Sequence, residues 1–592
     1  MKTISLPVIK IIFLFALLTG TSLSLFPQYN TFMSVHREQS EYYKSHPWPE
    51  ISVSPVRNAS FDTCTLDKKV FGYHPYWMDD SYLGYHWNLL SDLCFFSYEV
   101  DASTGDPVTT HNWLTAPVVD SALANDVRVH LCVTLFSGHA TFFSNEYAKQ
   151  TLTDNLINLI SERNAHGINI DFEAVPSSQG VAMVEYVQEL SMQVKDSLPG
   201  CLISMAIPAV DWTNIFDIEQ LDEALDLFMI MGYDYYWNGS AMAGPVSPLY
   251  SMTSGYNYSL ARTVSDYRQK GLPNDKFLLG LPYYARQWPT QYPLAPSPVT
   301  GYGLALTYAN VKNNGGGYYN QENRFYEPAS ISSYYSFSVS DSWYQCFVAE
   351  PMDLHERYNL ANYHGLAGIG IWALGYDNGY DQLWNVLADK FSTCVAPMYS
   401  DTLYDSGGPS WSYYNNEDYT LTIRSFDETP INLEFMEFNI EDGYDSLWVY
   451  DGGDTLAPLL GAFSGSIFPP VIQSSGKMLT IRFRSDGLTV GPGWKAVWRS
   501  GTAGVRGMSR HGFHVYPNPV SSIINYQLSI IDGRKDCTIE VWDVVGKRVE
   551  MVTVPGGRDV VRSDVSAYPP GVYTAVLKKN ERILGVRKFV VE

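Results

Sequence analysis

The stretch His166-Gly167-Ile168-Asn169-Ile170-Asp171-Phe172-Glu173 decides the fold and, with it, where chemistry can happen. Bulky apolar residues at 168, 170 and 172 alternate with small or polar ones at 167, 169, 171 and 173. A period of two is a strand, with the two sets on opposite faces. The carboxylates of Asp171 and Glu173 then share one face, one behind the other, and the apolar set packs on the other. Such a strand suits a parallel α/β barrel, packed outward on helices and carrying its site at the strand ends. Two acids at i and i+2 push their pKa values apart, so one can stay protonated as a general acid while the other stays ionised. An ordinary half-exposed strand would show Lys or Thr among its polar positions, not Asn-x-Asp-x-Glu after Gly.

Working outward, similar apolar runs alternate with longer helical patterns: 69–73, 93–98, 127–135, 167–173, 202–208, 227–233, 277–283 and 368–373. That alternation predicts a (β/α)8 barrel, with an insertion before its last strand. Sites in this fold sit where strands end, and seven of the eight runs end in aromatic, acidic or small polar residues. Tyr73 to Trp77, Tyr98-Glu99, Asp171 and Glu173, Tyr233-Asp234, Tyr283 to Arg286 and Trp372 are therefore expected around one rim. The Gly-, Tyr- and Asn-rich segment between Arg286 and Ser342 is either a wall of that cleft or a surface loop.

These residues resemble glycoside hydrolase family 18, the chitinase family. Its active-site strand reads Asp-Gly-x-Asp-x-Asp-x-Glu, of which Asp171 and Glu173 are kept, while His166 and Asn169 replace the first two acids. Met231-Gly232-Tyr233-Asp234 is similar to the family's Met-x-Tyr-Asp, and the run Gly368 to Asp377 to its eighth strand. The resemblance implies a catalytic barrel over residues 68–393. Glu173 would protonate the glycosidic oxygen, and the substrate's own acetamido oxygen would be the nucleophile. Asp171 would orient the acetamido N–H, Tyr233 would donate to its carbonyl, Asp234 would support Tyr233 or the sugar, and Asn169 would sit in the carboxylate row. Trp372 would stack beneath the sugar, with Tyr73, Tyr98, Met231, Trp77 and Tyr283 as further substrate contacts. No metal or organic cofactor is needed for that reaction. The implied substrate is a β-1,4-linked N-acetylglucosamine polymer, with peptidoglycan or N-glycan cores as alternatives. A glycan-binding barrel without activity is the rival, but such barrels usually lose the acid that Glu173 retains.

The chain of 592 residues is too long for one core. Its net charge of −23 argues against nucleic acid and anionic membrane surfaces as partners and leaves carboxylates for calcium. Aromatic residues make up 14%, which gives platforms for sugar rings without proving them. Seven scattered cysteines with no Cys-x-x-Cys argue against zinc. Cys64 before the first strand and Cys394 after the last helix are placed to clasp the barrel seam, while Cys94 and Cys132 sit within strands as buried thiols. Residues 1–24 have the form of a secretory signal peptide, and 25–67 read as a polar, irregular lead-in. No other stretch is apolar and long enough to span a bilayer.

Residues 398–499 are all-β in pattern and resemble a CUB domain, on Asp405 to Gly408, Phe438 to Gly452 and Ser485-Asp486. The resemblance implies calcium held by Glu417, Asp445 and Asp486, a donor set suited to a hard cation. The span contains no Cys, so the usual CUB disulfides are absent. Residues 512–592 open on Tyr516-Pro517-Asn518-Pro519, continue through Asp543 to Lys547 and end in the strand around Lys588. They resemble the C-terminal sorting domain of type IX secretion. That implies passage through outer-membrane secretion machinery to the cell surface or the medium.

Overall fold

All eight expected runs are strands of one closed barrel in the structure, a computed structural model. It describes residues 34–45, 63–394, 398–426, 428–500, 513–516, 520, 522–528, 537–543, 547–554, 560–579 and 582–591. The expected signal peptide over 1–24 and residues 517–519 of the Tyr-Pro-Asn-Pro motif lie outside the described residues. The barrel strands are β1 (Lys69–Pro75), β2 (Asp92–Val100), β3 (Arg128–Leu135), β4 (Gly167–Phe172), β5 (Leu202–Pro208), β6 (Leu227–Met231), β7 (Phe277–Pro282) and β8 (Gly368–Trp372). Neighbours in the order β1-β8-β7-β6-β5-β4-β3-β2 pair in parallel, and β1 pairs again with β2 to close the ring.

Strands buried on both faces read as continuous apolar runs, as Leu227 to Met231 does. β4 alternates because its inner face is polar. Its outer residue Phe172 packs on Phe142 at 6.0 Å and on Tyr186 of the helix Gly180–Ser197 at 6.3 Å. The interior is tight enough that a Cβ on Gly370 would lie 2.1 Å from Met229 Sδ. At the opposite end from the site, Asp92 accepts from Arg128 Nε and Nη2, at 2.7 and 2.8 Å, and meets His130 Nε2 at 2.9 Å.

Cys64 and Cys394 form the expected disulfide, with Cα atoms 5.4 Å apart. Around it Leu66 bridges Ser392, and Thr393 N donates to Thr65 O at 2.8 Å. The bridge closes a loop of 330 residues at the seam, where loop-closure entropy is largest. Cys94 and Cys132 are buried free thiols.

One open alternative is decided and one expectation is corrected. The 286–342 segment is not a surface loop: it folds with Tyr284–Thr290 and Ser342–Val348 into a five-stranded antiparallel sheet, which also contains Leu304–Thr307, Arg324–Glu327 and Ser332–Val339. Nor is the lead-in irregular throughout. Residues Val35–Tyr43 form a helix, α1, whose N-cap Ser34 side chain accepts from Arg37 N.

The described residues fall into two compact units, and the second holds all-β sheets. Two four-stranded antiparallel sheets cover 400–500, with Leu433, Leu447, Ile481, Phe483, Trp494 and Trp498 buried, so an apolar core stands where disulfides are missing. A three-stranded and a four-stranded sheet follow between Phe513 and Val591. No described helix is long and apolar enough to cross a membrane.

Candidate active site

The polar face of β4 delivers Asp171 and Glu173 to the barrel mouth, both buried. Burial raises the pKa of Glu173, and the charge of Asp171 raises it further, while His36 of α1 opposes both. Asn169, one step deeper, is held at both ends of its amide: its Oδ1 accepts from Tyr73 Oη at 2.9 Å, and its Nδ2 donates to Ser204 Oγ at 2.9 Å. An amide there cannot titrate, so Glu173, just past the end of β4, is the only acid of residues 167–173 that shares the inner face with Asp171.

Tyr233 and Asp234 follow β6, and Trp372 ends β8. Asp234 has φ +55°, and its Oδ1 accepts from Tyr284 Oη at 2.7 Å and Arg286 Nη2 at 3.2 Å. Arg286 and Tyr284 therefore bring the inserted sheet to the edge of the site. Trp77 Nε1 donates to Tyr376 Oη at 3.3 Å, and the Trp77 and Trp372 rings meet edge-on at 6.5 Å. Tyr73 lies 5.5 Å from Trp372, and Met231 closes β6, buried.

Two expected substrate contacts are elsewhere. Tyr98 points outward: its hydroxyl donates to Gly105 O at 2.7 Å and accepts from Asn155 Nδ2 of the helix Glu146–Arg163 at 3.2 Å. Phe96, two residues earlier, is the β2 residue that reaches Trp372, at 5.0 Å. Tyr283 likewise turns its hydroxyl toward Tyr358 of the helix Pro351–Tyr363, at 3.2 Å, and its neighbour Tyr284 takes the inward place. Tyr284, one residue on from Tyr283, takes the opposite face by alternation, whereas Tyr98 departs from the face of Phe96 because the register of β2 shifts between Phe95 and Tyr98.

The site is not open. Helix α1 lies in it. His36 Nδ1 faces Asp171 Oδ2 at 2.8 Å and Glu173 Oε1 at 3.1 Å, and its Nε2 faces Tyr233 Oη at 2.9 Å. Its ring stacks on Trp372 at 3.6 Å. Gln39 Oε1 accepts from Trp372 Nε1 and from Tyr376 Oη, each at 2.8 Å. Val35 N donates to Asp234 Oδ2 at 3.1 Å, and Glu38 pairs with Arg286 at 2.9 Å. Sequence reasoning missed this. The buried face of α1 is Val35, His36, Gln39 and Ser40, which has helical spacing but is mostly polar, and apolar periodicity does not register it.

In the second unit, carboxylate oxygens of Glu441, Asp445 and Asp486 lie within 4.8 Å of one another. Asp445 also accepts from Asp486 N at 2.9 Å and from the Tyr413 hydroxyl. Glu417 is buried at the same end, its N–H on Ser485 Oγ at 3.0 Å. Three converging carboxylates fit a hard cation. Glu441 is the member the sequence did not point to.

Residues 131–377 match the model for glycosyl hydrolases family 18. The barrel carries the match to that family. Residues 397–498 match the CUB domain, and 514–592 the secretion system C-terminal sorting domain, which implies secretion or a place at the cell surface. A "Probable endochitinase" of Caenorhabditis elegans is 25% identical over 269 residues, 41% of this chain and 42% of its own length. Cubilin of Canis lupus familiaris is 35% identical over 105 residues, 17% of this chain and 3% of its own. The chain spans about half the length, or less, of the curated relatives it matches in the barrel. Among solved structures, a family 18 chitinase of Cycas revoluta in complex with (GlcNAc)3 aligns with a TM-score of 0.48 at 18% identity, covering 54% of this chain and 99% of that one.

Proposed function

We propose that the family 18 barrel hydrolyses β-1,4-linked N-acetylglucosamine polymers, with retention and with the substrate's acetamido oxygen as nucleophile. The observation that carries this reading is the arrangement of Glu173, Asp171 and Tyr233 above the Trp372 ring, with Glu173 held toward its protonated form. Glu173 gives its proton to the leaving oxygen. Asp171 holds the acetamido N–H, Tyr233 donates to its carbonyl, and Trp372 stacks under the sugar. Asp234 fixes the rim through Tyr284 and Arg286. Asn169 positions β4 against Tyr73 and Ser204 and does not move a proton. The residues of this chain suffice for each step, so no cofactor enters the mechanism.

The test is hydrolysis of soluble chitin oligomers, peptidoglycan and a high-mannose glycopeptide side by side, with proton NMR of fresh product. The expected product is the β-anomer, and the expected substrate the chitin oligomer. A β-1,4 glucan with plain 2-hydroxyls lacks the internal nucleophile and should not be cut. An initial α-anomer rules out the mechanism, and cleavage of peptidoglycan alone changes the substrate.

For the CUB domain we propose calcium at the Glu441, Asp445 and Asp486 cluster, with Glu417 as a further donor from the family pattern. Millimolar calcium should raise a melting transition of the full chain, and Glu441→Gln should reduce that rise. No shift in the unsubstituted chain refutes the site.

A further inference from the structure

The contacts of α1 are a nearly complete inventory of the groups the proposed mechanism uses. Asp171, Glu173, Tyr233 and Trp372 all meet His36, Trp372 also meets Gln39, and Asp234 meets the helix N-terminus. A helix that merely filled a groove would present apolar side chains. This one presents a ring, an amide and a carboxylate, each bonded to a group of the barrel.

The chemistry of His36 is more specific than blockage. When an acetamido oxygen attacks the anomeric carbon, the glycosidic C–O bond breaks and its electrons leave on an oxygen protonated by Glu173. What remains is a five-membered ring of oxygen and nitrogen carrying positive charge, its N–H toward Asp171 and its other heteroatom toward Tyr233. An imidazole is a five-membered ring with two heteroatoms and takes up positive charge. His36 puts one nitrogen on Asp171 and the other on Tyr233, flat on the Trp372 face at 3.6 Å with 29° between planes. The 2.8 Å contact with Asp171 is a direct hydrogen bond, and Glu173 lies at ion-pair distance, 3.1 Å, from the same nitrogen.

We infer that α1 is an intramolecular inhibitor: it occupies the sugar subsite with His36 in place of the cyclic cation of substrate-assisted hydrolysis, and turnover requires its displacement. The inference rests on the proposed hydrolase reading for the identity of the mimicked species. A nine-residue helix is marginal alone in water, so its order comes from docking. Seventeen residues, 46–62, connect Ser45 to Thr63 and tether it covalently beside the site. Tethering turns its binding into an intramolecular event, so a free sugar competes against a high effective concentration.

The test compares the unsubstituted full chain with His36→Ala/Glu38→Ala/Gln39→Ala. Calorimetric titration with the N-acetylglucosamine trimer should show binding tighter by roughly 10²-fold or more in the variant, the advantage a tethered competitor loses. Hydrolysis of chitin oligomers should rise with it. A synthetic peptide of residues 34–45, added in trans, should compete with the trimer, and the same peptide with Ala in place of His36 should not. Equal trimer affinity in the two chains, or no binding of the peptide to the variant, overturns the inhibitor. Tighter trimer binding without hydrolysis in either chain sustains the inhibitor and removes the hydrolase reading. Should the variant not fold, hydrogen exchange in the unsubstituted chain decides: saturating trimer should speed exchange across 35–43, and unchanged exchange there refutes displacement.

Discussion

Replacing Glu173 by Gln in a chain whose α1 contacts have been removed should lower turnover of chitin oligomers by roughly 10²–10⁴-fold, the usual worth of a general acid. The substitution keeps shape and burial and removes only the proton. Aryl glycosides, whose leaving groups need little protonation, should lose less. Asp171→Asn should hurt both classes, because the acetamido group is no longer held for attack. The pH profile adds a second reading. The negative charge of Asp171 helps hold Glu173 up, so its removal lets Glu173 deprotonate sooner, and the basic limb of kcat/KM should move to lower pH. His36 acts on Glu173 in the opposite sense to Asp171. When α1 leaves, the opposing His36 charge goes and the charge of Asp171 remains, while the site opens to water. Equal losses on aryl and oligomeric substrates in Glu173→Gln would contradict a proton-donor role.

Docking of α1 should weaken by about tenfold per pH unit above neutrality. Burial by itself would depress the His36 imidazolium, but the Asp171 and Glu173 carboxylates overcome it and hold its pKa at about 10, above the ordinary 6.5. The bound helix therefore takes up a proton that the free helix lacks. Its stabilisation is fully present below about 6.5 and is lost as pH rises toward 10. The ionisable groups facing His36 are Asp171 and Glu173 from β4 and Tyr233 after β6, with Asp234, Arg286 and Glu38 at the flank of α1. Protonation of Glu173 removes one of the two supporting charges, so docking should also weaken on the acid side. Affinity of the 34–45 peptide for the triple-alanine chain, measured between pH 6 and 9, checks this. A flat profile would mean that His36 docks as a neutral ring. The peptide with Gln in place of His36 should show no slope in that window.

Much of this protein is written in local pattern. Period-two alternation placed β4, the other apolar runs placed the remaining barrel strands, and the ends of those runs named Glu173, Asp171, Tyr233, Asp234 and Trp372. Burial on both faces makes a barrel strand a continuous apolar run, which a sequence shows directly. The Cys64–Cys394 clasp was legible for the same reason, since a closed ring returns its first strand to its last helix. Other features depend on distances between remote segments. Whether Tyr283 or Tyr284 faces the site turns on where the alternation stands at the strand end, where a single-residue offset exchanges the faces, and Phe96 stands in place of Tyr98 because β2 shifts register between Phe95 and Tyr98. Glu441 joins Asp445 and Asp486 through a turn that brings its carboxylate back to theirs. The occupation of the site by α1 was the least legible feature. Its hydrogen-bond partners in the site lie 135 to 337 residues away along the chain, and its bonds are polar and directional. Composition and periodicity record which residues avoid water, whereas a charge-matched helix is recognised only by the groups it meets, and tertiary structure alone brings those together.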